Sequence, residues 1–251
     1  MKNLLIILLS LLLTPLLAQA NPLDDKCPQF SKSGAPQVAS EGVGNQYLCR
    51  TNYAVLHSCT TRTARYVLDH ITKDTVNGPA KRKNDFSEDT EVTENCRASM
   101  DDYKGAGYDR GHLSPAAVNT VNDDVMSESF LLSNMIPQDP GNNRGIWRML
   151  ELWVRDQVRA GNDVYVVSGT IYEAGYKKVG ATGVPTKVYK IVTDATTGKT
   201  IAFLFPNSKL SAKEWPNHTV SVKELEQLTG IDFKTTGVDE SVKYTVDNWK
   251  Q

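Results

Sequence analysis

An excess of charge of either sign is missing from this sequence: 28 lysines and arginines stand against 29 aspartates and glutamates in 251 residues. So balanced a chain excludes broad electrostatic attachment to a polyanion, and any site for one must be a local basic patch. Cysteine is absent beyond position 96, and Cys27, Cys49, Cys59 and Cys96 contain no C-x-x-C pair, which argues against a zinc cluster of the usual ligand spacing. No low-complexity linker divides the chain, so one domain is expected. A membrane-spanning run is lacking too. The opening segment, Lys2 followed by LLIILLSLLLTPLLAQA, is interrupted by Ser10, Thr14 and Pro15 and closes on Ala18 and Ala20 in an Ala-x-Ala arrangement. It reads as a signal peptide cleaved after Ala20, not as an anchor.

Removal of residues 1–20 would leave one domain, residues 21–251, with 27 basic and 29 acidic side chains. An exported chain, periplasmic or secreted, meets an oxidising compartment, so the four cysteines are expected to form two disulfides. Their spacing leaves three connectivities open.

Residues 45–58 and 61–72 are rich in β-branched and aromatic side chains and read as a β-hairpin. The polar stretch after them, with Lys81, Arg82 and Lys83 at its centre, reads as a surface loop carrying the densest positive charge in the chain. Residues 142–161 place Ile146, Leu150, Trp153, Val154 and Val158 near helical spacing before Gly161, and so predict a helix. Strands follow at 163–172, 187–194 and 200–206, then a helix over 221–230 with Ser221 as its cap and Gly230 as its stop. Mixed in this order, the elements predict an α+β fold.

Chemistry concentrates around DRGH, residues 109–112, which sets an imidazole beside a guanidinium. Histidine titrates near neutrality and serves readily as a base. His57, His70 and His218 stand in no motif and are assigned to structure. Asp109 either orients a neighbour or pairs with Arg110, and the second is favoured. Downstream, Asn143, Trp147, Glu151 and Arg155 recur every fourth residue along the expected helix, which flanks one site with an amide oxygen and a carboxylate. Hard cations such as Mg²⁺ accept such oxygen ligands and leave the remaining positions to water and phosphate. A plain alternative makes Asn143 a helix cap and Glu151 an exposed partner of Arg155.

DRGH followed by Pro115, then LLSNMIPQ at 131–138 and NRGIWRMLE at 143–151, taken in order, resemble the DNA/RNA non-specific endonucleases with a ββα-metal finger. HITKDT at 70–75 and the basic loop after it extend the similarity toward the hairpin. The resemblance implies a central antiparallel sheet flanked by helices. It assigns His112 as the general base, Arg110 as a phosphate contact, Asn143 as the direct metal ligand and Glu151 as the holder of metal-bound water. Arg155 and one cation of the basic loop, Arg82 or its neighbour Lys83, would stabilise charge at the scissile phosphate, and Asn134 would lie near the histidine. The implied cofactor is Mg²⁺, with Mn²⁺ as a substitute, and the implied substrates are DNA and RNA. Two other readings stand beside this one: a nucleic-acid-binding module without turnover, and a nuclease toxin with a cognate inhibitor.

Overall fold

The computed structural model of the chain describes residues 21–39, 42–235 and 239–249. The expected signal peptide lies outside them. Strands β1 (Gln46–Cys49), β2 (Tyr53–Ser58) and β3 (Thr63–Ile71) form a three-strand meander. The first expected strand therefore splits in two: Arg50 donates its backbone N–H to Tyr53 at 2.8 Å and closes a turn through Thr51 and Asn52. Farther along lie β4 (Asp109–His112), β5 (Met135–Gln138), helix α1 (Arg148–Arg159), β6 (Val164–Ile171), β7 (Lys187–Asp194), β8 (Thr200–Pro206), β9 (Thr219–Val220) and helix α2 (Val222–Thr229). Ser221 accepts a bond from the Glu224 N–H, and Gly230, at φ +66°, ends α2 in the left-handed conformation.

Seven strands make one antiparallel sheet in the order β9-β8-β7-β6-β3-β2-β1. Both of its faces are covered, which is why β2 is buried at every position. On one face, Val67, Val166, Val188 and Phe203 pack with Trp147, Leu150, Trp153 and Val158 of α1 and the turn before it. On the other, Tyr66, Leu68, Tyr189 and Ile191 meet Leu23, Phe30, Leu225 and Phe233. The period-two alternation of β7 thus sends Val188, Lys190 and Val192 toward α1, and Tyr189 and Ile191 away from it.

All four cysteines are paired, Cys27 with Cys49 and Cys59 with Cys96. The first bridge ties the N-terminal segment to β1. The second fastens the far end of the polar loop to the β2–β3 turn.

Candidate active site

The site is built on β4, β5 and α1. In the β4–β5 hairpin Gly111 lies opposite Ile136 and His112 opposite Met135. A Cβ on Gly111 would come within 1.9 Å of the Gln138 side-chain oxygen. Only hydrogen fits there, so close approach, and not a special φ, is what requires glycine.

His112 is 7% exposed. Its ring meets the edge of Phe130 at 4.9 Å, and its main-chain oxygen accepts the Trp147 indole N–H at 3.3 Å. The ring Nε2 is buried without a hydrogen-bond partner among the described residues. Burial, reinforced by the positive charge of Arg82, pushes the imidazole down to about 3, so the free ring is neutral with a lone pair to offer. Asn134 is buried and does not line the groove. Its side chain accepts from the Ser114 N–H and donates to the carbonyls of Ser114 and Ser129, all at 2.8 Å. It pins the backbone two residues beyond His112.

Asn143 occupies a different place from the one its spacing suggested. Residues Asn142–Trp147 form a wide π-helical turn kinked at Gly145, and regular α-helix begins at Arg148. Capping falls to Asp139, whose Oδ1 accepts the N–H groups of Gly141 and Asn142. The Asn143 side chain instead donates through Nδ2 to Asp109 at 2.9 Å. Asp109 also takes the fork of Arg144, at 2.5 and 2.8 Å. The expected Asp109–Arg110 pair is therefore not formed, since Arg110 stacks on Phe86 with its guanidinium carbon 4.1 Å from the ring centre. Partial burial works against the Asp109 charge, yet the bonds from Arg144 and Asn143 hold the carboxyl below its usual range. An anionic acceptor on Nδ2 leaves Asn143 Oδ1 as the free donor atom.

A groove of about 440 Å³ brings together Arg82, Arg110, His112, Asn143, Glu151 and Arg155. Lys83 lies outside it, 3.4 Å from Asp123, so the loop cation in the groove is Arg82. Glu151 is half-buried rather than exposed on the helix surface. Burial pushes its carboxyl up, while Lys190 and Arg155 oppose that rise. Beneath the groove Lys190, 2% exposed, donates to Ser168 and reaches the Leu113 carbonyl at 3.5 Å. Asp69 accepts from Ser114 at 2.5 Å, and burial raises it to about 7.

No cluster of three or more His, Cys, Asp or Glu suited to a metal exists among the described residues. One amide oxygen and one carboxylate on a basic groove fit a different ion, a hard divalent cation that keeps water and takes up phosphate oxygens.

The sequence pattern of the DNA/RNA non-specific endonucleases matches residues 31–240. The chain belongs to that family. Its relatives include mitochondrial nuclease EXOG of Xenopus laevis, 33% identical over 87% of this chain and 64% of the relative. The same nuclease of Homo sapiens is 32% identical over 76% of this chain and 57% of its own length. A nuclease of a Nostoc strain is 31% identical over 94% of this chain and 93% of its own. The chain thus spans less than two thirds of these two EXOG relatives but nearly all of the Nostoc one. In a solved complex of EndoG with EndoGI, the matched chain superposes with a TM-score of 0.76 at 27% identity, over 84% of this chain and 91% of that one.

Within this family fold the role assignments drawn from the sequence leave out Lys190, Asp69, Ser114 and Arg144, although Ser114 and Arg144 lie inside the motifs. A signal for two of them exists. Lys190 stands between Val188 and Val192 on one face of a strand, and Asp69 between Val67 and Ile71 on another. A charge in such a row is out of place unless it serves a site.

Proposed function

We propose that the chain is an exported, Mg²⁺-dependent endonuclease that hydrolyses phosphodiester bonds of DNA and RNA with little regard to sequence, Mn²⁺ being able to replace Mg²⁺. The observation that carries this reading is the unpartnered, neutral His112 imidazole in a groove shared with Arg82, Arg110 and Arg155. The names of the relatives, nucleases and endonuclease G, support it.

The His112 imidazole removes a proton from the attacking water as the water oxygen bonds to phosphorus and the bond to the 3′ oxygen breaks. Arg82, Arg110 and Arg155 balance the charge that builds on the non-bridging oxygens. Asn143 Oδ1 and the Glu151 carboxylate would hold the cation and its water, and Asp109, by accepting from Asn143 Nδ2, would keep that amide oxygen turned to it. When bound, the cation supplies positive charge to the phosphate and to the departing oxygen. Contacts to phosphate alone carry no base information, so DNA and RNA are both substrates.

Residues 1–20 direct export to the periplasm or beyond, in keeping with two disulfides. No helix among the described residues is long and apolar enough to cross a membrane. Incubating the purified protein with plasmid DNA and with RNA, with Mg²⁺ or with a chelator, tests the proposal. Metal-dependent cleavage of both is expected, and binding of either without cleavage would favour the turnover-free module.

A further inference from the structure

Beside the catalytic groove opens a second, larger recess of about 620 Å³. The two cavities share Arg82, Arg110, Asn143 and Arg144, so a polymer held at His112 continues into it. Its walls differ in kind from those of the groove. Phe86, Met100, Tyr103 and Tyr108 supply aromatic and thioether surface, with Lys104 at the edge.

The arginines shared with the groove and Lys104 serve phosphate, but the aromatic surface gives it nothing, whereas every nucleobase has a flat face that stacks on aromatic side chains. Asp101, exposed beside the recess, repels a phosphate and can accept a bond from a base's amino group. Tyr108 is half-exposed at the entrance. It follows a turn in which Gly105 and Gly107 take φ values of +69° and +78°, a backbone course that glycine adopts without strain. One side of Phe86 is already taken by the Arg110 guanidinium. That contact locks the phosphate-binding arginine to the recess wall.

We propose that this recess is a subsite for the base of the nucleotide next to the scissile phosphate, with Tyr108 as its stacking platform. The assignment rests on the nuclease reading for its substrate and adds to it a contact away from the phosphate. A base reaches the recess only by leaving its own stack, which costs least in a single strand. The subsite therefore favours single-stranded over duplex substrate without reading sequence.

The test compares a fluorescent single-stranded 12-mer with a fully abasic 12-mer of the same phosphate number, both bound to the full protein in chelator. Wild type is expected to bind the normal strand about tenfold more tightly than the abasic one. In Tyr108→Ala the two affinities should converge, and in Tyr108→Phe, which keeps the ring, the tenfold difference should persist. Equal binding of both strands by wild type, or an undiminished difference in Tyr108→Ala, overturns the subsite. Cleavage of the normal strand by wild type with Mg²⁺ runs in parallel. Failure there rejects the nuclease reading, while the binding comparison still judges the recess.

Discussion

The central sheet presents two unlike faces. Behind it, Tyr66, Leu68, Tyr189 and Ile191 meet an apolar layer from the N-terminal segment, α2 and Phe233. In front, the same strands set Lys190 and Asp69 among valines beneath His112 and Glu151. Burying an apolar side chain stabilises the fold directly, whereas burying a lysine and two carboxylates is tolerable only while they offset one another. The front face gives up stability to hold charge beneath the groove. Among the described residues the back face carries no such buried charge and supplies stability.

The sharpest break in this comparison is at His112. His112→Ala should lower cleavage about 10²–10⁴-fold while the protein still folds, and undiminished turnover would remove the imidazole from the chemistry. Next comes a matched pair, one residue per face. Lys190→Met strands Asp69 and Glu151 without their countercharge and should destabilise by about 3 kcal/mol, the low end for a broken buried pair, because Asp69 at about 7 readily takes up a proton. It should also slow cleavage. Leu225→Ala on the back should cost about 2–5 kcal/mol in unfolding yet leave kcat per folded molecule untouched. Equal effects on kcat from the two variants would erase the distinction between the faces.

A smaller effect is expected one step from the proposed metal ligand Asn143. Asp109→Ala frees the Asn143 amide and should raise the Mg²⁺ concentration for half-maximal activity about 10–100-fold. An unchanged Mg²⁺ titration would reduce the Asp109–Asn143 bond to packing. The smallest concerns protons. His112 is held below its ordinary 6.5 in the folded chain, so below that pH the unfolded chain binds a proton that the native one refuses. Wild type should therefore lose about 1.5 kcal/mol relative to His112→Gln between pH 6.5 and about 5. Asp69 titrates in the opposite sense, since its raised carboxyl favours the fold at low pH and loses that contribution as pH rises toward about 7. Both proteins contain it, so it cancels in the difference.

Periodicity made the back of the molecule and the long elements legible: β7, β8 and α2 fall where hydrophobic alternation, Ser221 and Gly230 put them. Six of the residues singled out from the sequence line one groove. What the motifs could not convey was how Asn143 is held. A fourfold spacing assumes an unbroken helix, and the kink at Gly145 lies between Asn143 and that helix. Asp109 and Asn143 are 34 residues apart, and no local pattern records a bond over that span. Cysteine pairing was open for the same reason, because the partners are set by how the loops fold back and not by their spacing.

Gly111 carries a consequence for how this fold can change. It lies between Arg110 and His112, and the Gln138 side chain fills the space where any other residue would project. A substitution there must push β4 away from β5, displacing the proposed phosphate contact and the proposed base in one move. The hairpin is thus a single point of failure: variation at one position reaches both functions, and no second mutation at either of them restores the lost space.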